Sequence, residues 1–397
     1  MKTRPILISL VAFAVFASTF RIAAQEKASP YQGWQHSGAL TISTTPDGSN
    51  LPASASVEGF PLLVRLHGDW FDFKQAKPNG EDVRFSSSTG APLVFQIEEW
   101  DAANGSASVW VRIPRIEGNA RQTLHLHWGQ AGVVNASSGK AVFNESNGYL
   151  SVWHLGDTVR DEVGTLESKD TGTSLTNGII GQARHFPGKA GIFGGDKIPN
   201  YPTGADAHSS EVWFRTRSAN STLVAWGNEQ GQGKVVMQLR SPPHINMDCY
   251  FSGGNVSGNR LPLGDWMHVV HTYRQGESII YVNGQAQGTN ASKGSPLNIR
   301  TPARLWLGGW YDNYSFVGDL DEVGHLRVGP GRLDVDDDEA LLVADALDEV
   351  DHRVGPRLDV RQALRLADRL LELLLEVDDR PERDKEIAER LGSAGSL

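Results

Sequence analysis

Two alternating runs closed by an Asn-Gly pair constrain the fold of this chain more than any other feature. Trp266-Met267-His268-Val269-Val270-His271-Thr272-Tyr273 is followed by Ser278-Ile279-Ile280-Tyr281-Val282, and then by Asn283-Gly284. Apolar residues at every second position belong to a strand with one buried face. Asn-Gly suits a two-residue type I′ turn, which needs positive φ at both central positions. The same punctuated alternation recurs upstream, in Phe60–Leu66, Asp82–Phe85, Leu93–Glu98, Ser108–Ile113 and Thr123–Trp128. It returns in Ser151–Leu155, Glu211–Thr216, Thr222–Trp226, Val235–Leu239, Ala303–Gly309 and Phe316–Val323. Neither region contains a long helical pattern. The chain therefore reads as all-β, with two antiparallel β-sandwich modules at 30–130 and 147–328 and a small-residue linker at 131–146.

Composition supports that reading and narrows the partners. The 43 glycines and 11 tryptophans suit a loop-rich β-protein with aromatic cores. A formal charge of −10 excludes the basic stripe that nucleic acid requires. Lys2 and Arg4 precede the apolar run Ile6–Phe20, and Ala23 and Ala24 follow, so residues 1–24 read as a secretory signal peptide. The apolar run is shorter than the roughly 20 residues of a membrane span, and no later run is longer. The expected location is exported: periplasm, cell surface or secreted. With one cysteine the chain cannot close an internal disulfide, and Cys249 sits in a strand-like run as a small buried hydrophobe. Asn-x-Ser/Thr triplets such as Asn220-Ser221-Thr222 and Asn290-Ala291-Ser292 matter only in a glycosylating host.

Two family resemblances rest on particular residues. Gly33-Trp34, Phe60-Pro61, Phe71-Asp72-Phe73, Gly80–Phe85, Ile97–Asp101 and Val109–Pro114 resemble the DUF2341 family, which implies no known activity. Tyr149–Leu155, Gly181-Gln182-Ala183, the Trp266–Gly284 hairpin and Gly318–Val323 resemble laminin-G-like jelly rolls of the concanavalin superfamily. The pairing is also similar to the exported N-terminal part of some bacterial proteins that continue into a TolQ/ExbB-type proton channel.

After Val323 the composition breaks. From Gly324 to Leu397 there is no Phe, Trp or Tyr, and lysine occurs once, at Lys385. The laminin-G pattern does not continue, so residues 329–397 read as an acidic tail translated out of frame. The alternative is a native tail, helical or disordered, with Leu364, Leu366, Leu370, Leu371 and Leu374 on one helical face. Asp334–Glu339 lacks the glycine and glutamate of an EF-hand loop.

The chemistry legible in the chain favours binding. Concanavalin-like glycosidases pair two carboxylates about 5.5 Å apart. Asp319, Asp321 and Glu322 imitate the start of such a motif, but position 324 is glycine and 325 histidine, so the second acid is missing. Strand alternation places Asp319 and Asp321 on one face and Glu322 on the other. No nucleophile elbow or His-Glu-x-x-His motif occurs, and His125 and His127 read as a solvated strand face. The chain is expected to be non-catalytic. Trp310, Tyr311, Asn313 and Tyr314 lie in a loop that offers aromatic platforms and an amide, whereas Trp226 and Trp306 read as core. A calcium ion, if one is used, would draw on Asp312, Asp319 or Asp321. The expected function is an exported binding or scaffolding protein recognising glycans or cell-envelope proteins. The alternatives are the periplasmic part of a TolQ/ExbB-like transport component and, third, a glycoside hydrolase.

Overall fold

The structure is a computed structural model and describes residues 30–327, apart from 190, 291–294 and 311–312. The signal-peptide and tail assignments, Tyr311 and Asp312 lie outside the described residues. Everything described is strand or loop except one short helix, Gly139–Val142, and two 3-10 turns, Phe73–Gln75 and Glu145–Asn147. None of these helices is long and apolar enough to cross a membrane.

Four sheets make two sandwiches. In the first module His36–Ser43, Arg121–Trp128, Arg84–Ser87 and Pro92–Leu93 form an outer sheet. Ser56–His67, Ser106–Glu117 and Phe95–Asp101 form the second. Alternation sends Leu62, Val64, Leu66, Val109, Val111 and Phe95 inward against Leu40, Phe85, Leu124 and Leu126. In the second module an eight-stranded sheet faces a seven-stranded one. Trp153, Trp226, Phe186, Phe214 and Phe316 fill the space between them, each at most 1% exposed. Burying each such side chain contributes about 2 kcal/mol or more. Asn283-Gly284, with φ of 45° and 69°, turns Glu277–Val282 into the strand Gln285–Asn290, while Trp266–Arg274 meets Glu277–Val282 across Gln275-Gly276.

The two sandwiches share a third apolar layer. The strand faces of the first module that point away from its own core carry Leu63 and Trp110. These pack on Tyr149 and Val152, which point outward from the eight-stranded sheet, together with Val142, Phe143, Val163 and Ile180. The four sheets thus stack in series. Segment 131–146, expected as a linker, supplies two residues of this layer: Val142 and Phe143 are at most 1% exposed. The turn at Ser138–Val142 brings those side chains into the seam, so the connecting segment also packs.

The jelly-roll core also buries three histidines. His208 stacks on Tyr273 at 5.2 Å, His271 bonds Ser278 at 2.9 Å, and His325 bonds Ser210 at 2.9 Å. Burial, which disfavours the charged ring, drives all three downward: His208 to about 4, His325 to about 3, and His271 well below its ordinary value. The unfolded chain takes up these protons near pH 6.5 while the folded chain refuses them until about pH 4 or below, so acid favours unfolding. Between pH 7 and pH 5 each of His208 and His325 should withdraw about 2 kcal/mol of stability. Urea unfolding of the wild type and His208→Phe side by side should show the stability difference between them move about 2 kcal/mol in favour of the variant from pH 7 to pH 5.

Candidate functional site

A polar cluster interrupts the seam between the second and third sheets. It begins with the strand Phe95–Asp101, whose outward positions include Gln96 and Glu98. Neighbouring strands add Arg65 and Trp110 on the same face. Across the seam, His154 follows the strand Tyr149–Trp153, and Glu322 lies within the strand Val317–Arg327.

Glu322 reaches the seam because the strand is irregular there. Its φ is 43°, and the register against His208–Arg215 shifts between Glu211 and Trp213. The inserted residue breaks period-two alternation, so Asp321 and Glu322 both turn toward the first module while Leu320 and Val323 stay in the jelly-roll core. The sequence expectation that Glu322 faces away from Asp321 is therefore corrected. A Cβ at Gly324 would lie 2.5 Å from Glu211 Oε1, so a larger residue there would displace the Glu211 carboxylate.

The geometry is tight. Trp110 Nε1 donates to Glu98 Oε2 at 2.5 Å. His154 Nδ1 lies 2.9 and 3.1 Å from the two oxygens of Glu322 and 3.3 Å from Glu98 Oε2. His154 Nε2 meets Gln96 Oε1 at 3.3 Å. An oxygen of each carboxyl group lies within 4.8 Å of the other. Burial first, and the charge of Glu322 second, lift Glu98 well above the ordinary carboxylate range. Glu322 is pushed up to about 8, chiefly by burial, and Asp321 rises through burial and the charges of Glu322 and Glu98. Arg65 feels Glu98, Glu99 and Glu322, yet its Nε and Nη2 have no hydrogen-bond partner.

Beside this cluster the two modules leave a crevice of about 420 Å³. Gln96, Glu98, Trp100, His154, Arg160 and Gln182 are among the residues that line it. Arg160 pairs with Glu162 at 2.8 Å on its rim. The crevice can receive a polar ligand, and Glu98, His154 and Glu322 place donor atoms within 4.8 Å of one another, a set able to hold a metal ion.

The residues expected from the sequence are distributed elsewhere. Trp310 is 4% exposed and covers Ala225, Val236 and Trp306 on the outside of the seven-stranded sheet, so it is packing and not a ligand platform. Trp226 is in the central core, whereas Trp306 lies on that outer face against Phe193. Asn313 and Tyr314 are exposed, with Arg240 5.7 Å from the Tyr314 ring centre. Asp319 is paired with His185 at 2.7 Å and Arg215 at 2.9 Å. Asp321 accepts the Ile179 amide at 2.7 Å and that of Ile180 at 3.4 Å. Protein donors thus already occupy both carboxylates, which removes them from the expected calcium site. His127 is not on a freely solvated face: Tyr31 stacks on it at 4.3 Å and burial lowers it to about 4.

Comparison with known proteins agrees with the two modules. Residues 79–149 match the model of DUF2341, a domain of unknown function, and residues 194–325 match the concanavalin A-like lectin/glucanases superfamily. The second module is a concanavalin-like domain. Neither match supports the TolQ/ExbB likeness. No curated protein matches the sequence. Among solved structures the chain is similar to domain 4 of AbnA, a GH43 extracellular arabinanase from Geobacillus stearothermophilus, in complex with arabinotriose. The identity is 16% over 47% of this chain and 96% of that one, with a TM-score of 0.39. The CBM40 of Ruminococcus gnavus IT-sialidase bound to α2,3 sialyllactose shows 14% identity over 37% of this chain and 90% of that one, TM-score 0.30. The botulinum neurotoxin serotype D binding domain shows 16% identity over 48% of this chain and 50% of that one, TM-score 0.33.

Trp110 serves both the apolar seam and Glu98, so its removal should loosen one module from the other. Trp110→Ala should cost about 3 kcal/mol or more. Scanning calorimetry should show a single wild-type transition dividing into two in the variant.

Proposed function

We propose that this chain is an exported, non-catalytic binding or scaffolding protein that receives a carbohydrate or protein segment in the crevice between its modules. The observation that carries this reading is the crevice itself, about 420 Å³ and lined by polar groups from both sandwiches. Gln96, Gln182, Glu99 and Arg160 offer amide, carboxylate and guanidinium groups, the chemistry that recognises hydroxyl-rich ligands through several directional hydrogen bonds. The superfamily match of the second module supports a carbohydrate ligand without choosing between recognition and hydrolysis.

Geometry favours recognition. Glycosidases hold their carboxyl pair about 5–9.5 Å apart, with the scissile bond between them. Glu98 and Glu322 instead bring oxygens within 4.8 Å of each other beside His154, with side chains 8% and 13% exposed, which is too close and too enclosed for a sugar between them. Export follows from the Lys2–Ala24 leader pattern, and mass spectrometry of the product from a secreting host should find a mature chain starting near Gln25.

The full chain should be tested on a glycan array, with Arg160→Ala and Gln182→Ala as crevice variants. Each should weaken binding about tenfold, equivalent to about 1.4 kcal/mol. Binding that both variants leave intact would move the site to the jelly-roll loops near Tyr314. Release of reducing sugar from a bound glycan would replace the non-catalytic reading.

A further inference from the structure

We propose that Glu98, His154 and Glu322 form a zinc-class transition-metal site that bridges the two modules. This does not rest on the crevice ligand. The first argument is distance. Zinc takes nitrogen and oxygen donors at about 2.0–2.1 Å, and in a tetrahedral arrangement this separates neighbouring donors by about 3.3 Å. His154 Nδ1 lies 3.3 Å from Glu98 Oε2 and 2.9 Å from Glu322 Oε2. Two of the three donor separations stand near the spacing such an ion imposes, and all three lie within 4.8 Å.

The second argument concerns the other side of the ring. A metal-bound histidine characteristically donates its far N–H to a carbonyl or carboxylate, which fixes the tautomer. His154 Nε2 meets Gln96 Oε1 at 3.3 Å, and the Gln96 residue is 3% exposed. Nδ1 then faces three carboxylate oxygens within 3.3 Å, although one hydrogen there could satisfy only one of them. A cation at that point takes an oxygen from each acid.

Charge balance is the third. Glu98, Glu162, Glu211, Asp321 and Glu322 meet in or beside the seam. Arg65 faces Glu98 and Glu322, Arg160 is committed to Glu162, and His268 lies 3.5 Å from Glu211. A divalent ion would balance both acids at the place where they meet His154 Nδ1. The imidazole donor favours zinc over calcium or magnesium, which prefer all-oxygen sets. Glu98 and His154 also line the crevice, so a fourth coordination position would open toward it.

The full chain, loaded with zinc chloride and desalted, should retain one zinc per molecule by mass spectrometry, and a hundredfold excess of calcium chloride should leave it in place. His154→Gln and Glu322→Gln, checked for folding by near-ultraviolet circular dichroism, should each retain less than a tenth as much. X-ray absorption of the zinc-loaded wild type should show one imidazole among oxygen donors, and it decides the matter even if both variants misfold. No zinc retained by the folded wild type, equal retention in folded variants, displacement by calcium, or two or more imidazoles in the shell would overturn the assignment.

Discussion

Placing acids between two sheets is the constraint around which this molecule is arranged. Glu98 and Glu322 come from different sandwiches, bring oxygens within 4.8 Å of each other, and are shielded from water by the seam. A lone buried carboxylate is costly, and two side by side more so, unless a proton, a hydrogen-bond donor or a cation compensates them. Trp110, His154 and Arg65 are the groups the fold brings to that task. Trp110 and Arg65 lie on an outward strand face, and His154 just past the end of one, that would be solvated if either sandwich stood alone.

The apolar layer explains why the cluster is dry. Leu63, Trp110, Tyr149, Val152 and Ile180 close around it, and Val142 and Phe143 fill the flank. Hydrophobic contact without direction would let the sheets slide over one another. The directional contacts that cross the seam, from His154 Nδ1 to Glu98 Oε2 and from His154 Nε2 to Gln96 Oε1, each 3.3 Å, fix a single register of the stack. The left-handed backbone at Glu322 belongs to the same arrangement, since strain of that kind persists only where surrounding contacts hold it.

Much of the fold was legible because it depends on local period. The hairpin at Asn283-Gly284, the alternation in Ser108–Ile113 and the buried Trp153 and Trp226 all follow from residues close in sequence. The strand His36–Ser43 and the short strands Ser174–Asn177 and Ile192–Gly195 escaped notice, being rich in small or polar residues that give weak periodicity. The site was far less legible. His154 and Glu322 sit 168 positions apart, and nothing local says that two outward faces will be pressed together. The acidic run at Asp319–Glu322 did draw attention, but strict alternation sent Glu322 the wrong way because a bulge leaves no clear mark in sequence. Trp310 misled for the opposite reason: its loop folds back over the sheet.

Stacking the sheets in series has a consequence for how such a chain can diversify. Because Leu63 and Trp110 on one side and Tyr149 and Val152 on the other have surrendered their solvent-facing role, neither sandwich can be transplanted to a new neighbour without rewriting that face. Variation is free at the outer rims, on loops such as that of Tyr314, while the middle of the stack must be inherited as one piece.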